Sequence, residues 1–106
     1  MTNLFSKEAA HEDPFSLAER VGREGLYTRR EKIQLIQSAK DQRTGSILSR
    51  KIRRHARRWL ETAQESQKYF QAPSALESRA LKATQQLQKL AGDLETATAA
   101  HQAQAA

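Results

Sequence analysis

Seven residues in the C-terminal part of the chain, Leu76, Ala80, Ala83, Leu87, Leu90, Leu94 and Ala97, follow one another in steps of 4, 3, 4, 3, 4 and 3. A helix with this spacing carries one narrow apolar stripe over three heptads, and it cannot bury that stripe by itself. A partner helix is required, and the sequence supplies one next door. From Ile47 to Gln71 there is neither Pro nor Gly, and Leu48, Ile52, Ala56, Trp59, Ala63 and Phe70 recur near helical spacing. Pro73 stops that helix. Ser74-Ala75-Leu76-Glu77 then has the form of a capping box, in which a Ser hydroxyl and a Glu carboxylate satisfy the N–H groups at a helix start. Two helices of equal length across a short turn predict an antiparallel helical hairpin, 47–71 against 75–99. Leu48, Ile52, Trp59, Leu76, Leu87, Leu90 and Leu94 are its expected core.

Composition agrees with an all-α fold and a thin core. Hydrophobic residues make up 38% of the 106 residues, and the mean hydropathy is −0.80. Four glycines and two prolines are too few for a turn-rich β-protein, while Gln, Ala, Arg and Glu are all good helix formers.

Shorter helices are expected before the hairpin. Asp13-Pro14 is a helix entry, with Asp as cap and Pro at the first helical position. Leu17, Ala18 and Val21 form a brief apolar stripe that Gly22 and Gly25 should end. Thr28-Arg29-Arg30-Glu31 is another capping box, opening a helix over 29–42 with Ile33, Leu35, Ile36 and Ala39 on a broad apolar arc. Thr44-Gly45-Ser46 is the expected break before the hairpin, the alternative being a weak point in one longer helix. The chain thus divides into a 1–27 segment with a short helix, a 28–99 helical domain and a 100–106 tail rich in Ala and Gln, expected to be disordered. Leu35, Ile47 and Leu81 lie off the main stripes and call for cover, which favours a homodimer.

Charge is distributed very unevenly. Residues 28–60 hold eleven Lys and Arg against Glu31 and Asp41, a net +9, while the flanking parts carry −2 and −1. Such a block points to an anionic partner more directly than the overall pI of about 10.1. Its centre is Arg50-Lys51-Ile52-Arg53-Arg54-His55-Ala56-Arg57-Arg58-Trp59. On a helix, Arg50, Lys51, Arg53, Arg54, Arg57 and Arg58 face away from the stripe of Leu48, Ile52, Ala56 and Trp59. A face kept charged only for solubility usually mixes signs, yet residues 42–60 contain no carboxylate. Arginine outnumbers lysine five to one in 50–58, which suits planar, two-point contact with phosphate. These six residues, with Arg29, Arg30 and Arg43, are the candidate nucleic-acid contacts. DNA is favoured, with RNA also compatible.

The run lacks Asn, Gln and Ser among its arginines, so it fits backbone contact better than base reading. A helix-turn-helix does not fit, because the basic helix is too long and the Ala39-to-Gly45 spacing is wrong. Trp59 lies on the hairpin stripe and reads as a core anchor, and His55 reads as part of the basic helix. The rival class is a helical adaptor, a secretion or assembly partner that docks a protein, such as one with an acidic patch, through its heptad face or basic face.

Other classes find little support. His11, His55 and His101 are scattered without metal-ligand spacing, and there is no cysteine. No cofactor is implied, and no nucleophile, base and pocket converge as an enzyme needs. Met1–Pro14 lacks the apolar run of a signal peptide, and no segment reaches membrane-spanning length. The expectation is a small cytoplasmic accessory or regulatory protein that does not bind membrane. Its wealth of Arg, Ala and Gln points to a bacterial source.

Overall fold

A computed structural model describes residues 12–69 and 74–105. Among these residues all regular structure is helical: α1 (Pro14–Glu24), α2 (Arg29–Ser38), α3 (Gln42–Tyr69) and α4 (Ala75–Ala105). The all-α hairpin is present as α3 and α4. Arg53 meets Glu95 and Ser66 meets Ser74, so the partner's number falls as α3 advances and the pair is antiparallel. Phe70, Gln71 and the stop at Pro73 lie outside the described residues.

The expected seam holds along most of its length. Leu48, Ile52, Ala56 and Ala63 of α3 are buried with Ala80, Ala83, Leu87, Leu90, Ala91 and Leu94 of α4. Each fully buried Leu or Ile contributes on the order of 1.5–3 kcal/mol. Leu76 departs from the expectation, being 50% exposed. It sits at the hairpin tip, where α3 presents Ser66, whose hydroxyl lies 2.7 Å from that of Ser74. Ser74 also accepts the Glu77 N–H at 3.0 Å, which is the serine half of the expected capping box. The tip is therefore held by hydroxyls and a cap, and the heptad leucine there is left in water.

α1 forms because Asp13 Oδ2 accepts the N–H groups of Phe15 and Ser16, both at 3.1 Å. It buries Leu17, Ala18 and Val21 in the same cluster as Leu48, Ile52, Leu87 and Leu90. Gly25 ends it in the left-handed conformation, φ 73°. Gly22 does not end the helix as expected. It lies within α1 because the His55 ring occupies the space a Cβ would need.

α2 carries the full capping box, with Thr28 N–H donating to Glu31 Oε1 at 2.7 Å and Glu31 N–H to Thr28 Oγ1 at 3.1 Å. It stops at Ser38, short of the expected Gln42. The break lies at 39–41, ahead of Thr44-Gly45-Ser46, for two physical reasons. Asp41 caps the next helix, accepting the Thr44 N–H at 3.0 Å, and the Thr98 hydroxyl of α4 donates to the Ala39 carbonyl left open by the end of α2. Gly45 falls inside α3, where it lets the backbone approach Thr98 and the Ala39 carbonyl. Leu35 is fully buried in the shared core, so one of the three residues expected to need a second copy is covered within the chain. Ile47 and Leu81 are partly exposed. α4 continues beyond 99 to Ala105, past the last heptad position and into the tail expected to be disordered.

Two helical glycines should respond to alanine in opposite directions. A Cβ at Gly45 meets Thr98 and the Ala39 backbone, whereas Gly92 has nothing within 4 Å. Gly45→Ala is expected to cost about 1–3 kcal/mol through overpacking. Gly92→Ala should gain about 0.5–1 kcal/mol through helix propensity. Urea unfolding of both variants measures the pair, and equal signs would contradict this packing.

Candidate functional site

Packing on the inside of α3 decides which way its cations point. With Ile52 facing the core, Arg43, Arg50, Arg54 and Arg57 fall in an outward arc of roughly 60°, and Arg58 borders it. All five are exposed. From Arg43 to Arg57 the row is about 21 Å long at the helical rise.

The two margins of this row are neutralised by neighbours. On the α1 side, Lys51 Nζ lies 3.4 Å from Glu19 Oε2, and His55 Nε2 lies 3.1 Å from Glu19 Oε1. On the α4 side, Arg53 donates through Nε and Nη2 to the two oxygens of Glu95, both at 2.7 Å. No ion pair involves Arg43, Arg50, Arg54, Arg57 or Arg58 among the described residues. The row ends toward the hairpin tip at Glu61 and Glu65, the latter 3.4 Å from Lys68. Near its other end, Arg43 and Arg50 share a shallow hollow with Asp41, Gln42, Ser46, Ile47 and Gln102 of α4. Asp41 is held below its ordinary range first by its hydrogen bonds from Thr44 and also by the charge of Arg43.

The nine nominated cations therefore separate into three groups. Five form the exposed row, while Lys51 and Arg53 lie on the same helix but are engaged. Arg29 and Arg30 are exposed in the first turn of α2, which is tied elsewhere. Lys32 pairs with Asp93 at 2.7 Å, and Glu31 with Arg20 of α1 at 2.6 Å. Arg29 and Arg30 stand on a different helix from the row on α3.

His55 belongs to the basic helix, as expected, but not to its exposed face. It is 8% exposed and lies under α1, against Gly22 and beside Glu19. Its position three residues after Ile52 and four before Trp59 places it on the border of the core arc, a signal present in the sequence. Trp59 is the expected anchor: its Nε1 donates to the Gly22 carbonyl at 2.9 Å, and the Arg79 guanidinium stands 5.3 Å from the ring centroid. Glu19 and Glu95 were not identifiable as margins from the sequence, since nothing in local spacing links them to α3.

These contacts leave marks on the carboxylates. The bidentate hydrogen bond from Arg53 holds Glu95 below the ordinary glutamate range. Glu19 is lowered too, chiefly by the His55 hydrogen bond and, against the opposing effect of burial, by the nearby charges of His55 and Lys51. Arg20 is raised by its hydrogen bonds to Glu12 and Glu31. Among the described residues no cluster of His, Cys, Asp or Glu has the grouping to hold a metal ion, and no helix is long and apolar enough to cross a membrane. Comparison with family models, with curated proteins and with solved structures gives no match.

The Arg53–Glu95 contact predicts a component of acid sensitivity. A carboxylate whose folded pKa is depressed stabilises the fold fully above its unfolded value, near pH ~4.3. That contribution disappears as pH falls from there through the lower folded value. The parent should lose stability over this range, and Glu95→Gln should lose less, as read from melting temperatures at stepped pH. Identical acid limbs would show that the contact contributes nothing in solution.

Proposed function

We propose that this chain binds nucleic acid with little sequence preference, as a non-enzymatic accessory or regulatory protein, through phosphate contacts of Arg50, Arg54, Arg57 and Arg58 extended by Arg43. The observation that carries this reading is selective neutralisation. Cations at both margins of α3 have carboxylate partners, while the central row is left exposed and without an ion pair among the described residues. Like charges three and four residues apart on a helix disfavour it by a few tenths of a kcal/mol per pair (about 0.2–0.5), and a polyanion relieves that repulsion. Guanidinium groups suit phosphate oxygens in shape as well as in charge. Membrane binding is disfavoured because Leu48 and Ile52 of α3 are buried and Trp59 packs against the core, which leaves Ile47 and the half-buried Leu60 as the large aliphatic residues near the row that reach the surface.

The adaptor reading has an observation of its own. Tyr69 is 74% and Leu76 is 50% exposed near the hairpin tip, a place where another protein could dock. A homodimer is part of the proposal as well. Ile47 and Leu81 are available for it, and two copies would double the phosphate contacts. Purification without nuclease separates the two classes: retained nucleic acid, seen in the 260/280 absorbance ratio, supports the first, and a co-purifying acidic protein the second.

The decisive variant is Arg54→Glu with Arg58→Glu, which alters the row and leaves Ile52, Ala56 and Trp59 in place. Parent binding should weaken linearly in log–log form with salt, with a slope near −0.9 per phosphate neutralised on duplex DNA. The double variant should bind at least about tenfold more weakly and with a shallower slope. Its melting temperature should be unchanged or slightly raised as like-charge crowding falls. Undiminished binding would make the row a solvated face and end this reading.

A further inference from the structure

The geometry points to a double helix, and not a single strand, as the partner of the α3 row. This rests on the nucleic-acid reading above and specifies its target. Proteins that hold single strands without sequence preference combine a basic groove with aromatic side chains on which bases stack. The α3 row is the convex outer face of a helix, and it carries no aromatic residue. The aromatic side chains of the described residues are committed elsewhere or placed unfavourably. Phe15, Tyr27 and Trp59 pack against the core. Trp59 is further engaged by the Gly22 carbonyl and the Arg79 guanidinium. Tyr69 is exposed and lines one hollow with Arg58, but its backbone stands about 16 Å further along α3, and Glu61 and Glu65 line the same hollow and repel a phosphate chain.

What the row does offer is a straight, rigid array of charge. Both margins of α3 are tied down, to α1 through Glu19 and to α4 through Glu95. A duplex presents one phosphate per about 1.7 Å of axis and is stiff over far more than the row's length. Matching one stiff array to another orders little that was mobile. A flexible single strand must give up conformational freedom to align with the row, and no aromatic side chain within the row compensates for that loss by stacking.

The test is fluorescence anisotropy with a labelled duplex DNA of about two helical turns (~20 base pairs) and with each of its separated strands, across a salt series. The duplex should bind at least about tenfold more tightly and with the steeper salt slope, since the slope per phosphate is near −0.9 for duplex and −0.7 for single strands. Tyr69→Ala should leave duplex affinity unchanged. If a separated strand binds as tightly as the duplex, or if Tyr69→Ala abolishes binding, the duplex inference is overturned while the nucleic-acid reading stands. If neither form binds at low salt, the nucleic-acid reading itself falls.

Discussion

The seam between α3 and α4 joins leucine and isoleucine side chains to alanines at 56, 63, 80, 83 and 91. Small residues let two helices lie close while the larger ones interlock, and helix separation follows from the side chains at the contact. Once Leu48 and Ile52 are seated against Leu87, Leu90 and Leu94, α3 can no longer turn about its own axis. Its remaining circumference is then assigned. One flank receives α1, whose Gly22 lies against His55. The other faces Glu95 of α4. The arc left over is the one that holds Arg43, Arg50, Arg54 and Arg57. The exposed cations thus depend on hydrophobic packing for their alignment, and a change in the seam would rotate the row as a unit.

Electrostatics then narrows what packing has aligned. Seven cationic side chains between Arg43 and Arg58 have no carboxylate on their own stretch of helix, so neutralisation has to come from beyond it; Asp41, just ahead of the helix, lies near the charge of Arg43 at one end. Glu19 and Glu95 supply it only at the edges. The result is a strip of charge bounded on both sides, rather than a diffuse positive surface. Contacts to the centre of such a strip lie outside the edge pairs and can form without breaking them.

Legibility from sequence followed the range of the interactions involved. Local signals read well. Asp13, Thr28 and Ser74 each cap a helix where their spacing says they should, and the heptad positions from Ala80 to Leu94 are buried. Signals that depend on distant chain were harder to read. The glycine at 45 resembled a break, but its function is close approach to Thr98, a residue in another helix. Asp41, an ordinary helix cap, was the better marker of the junction. Gly22 likewise reads as a stop, since nothing nearby in sequence announces the His55 ring. Leu76 obeyed the heptad period, but the seam gives way to serine hydroxyls at its level. The site shows the same division: the outward arginines followed from helical period alone, while the carboxylates that bound them belong to contacts such as Arg53 with Glu95, 42 residues apart.

Trp59 stands where three helices meet. Its indole N–H reaches the carbonyl of Gly22 in α1, its ring lies beneath Arg79 of α4, and its backbone belongs to α3. It is also the single tryptophan of the chain. The molecule therefore carries a built-in optical reporter at its principal junction. Ultraviolet emission excited at the red edge of the aromatic band comes from this one side chain, so it senses how firmly α1 is seated on the hairpin without any attached dye. A detached α1 would expose the indole to water and shift that emission to longer wavelength, even with both long helices intact.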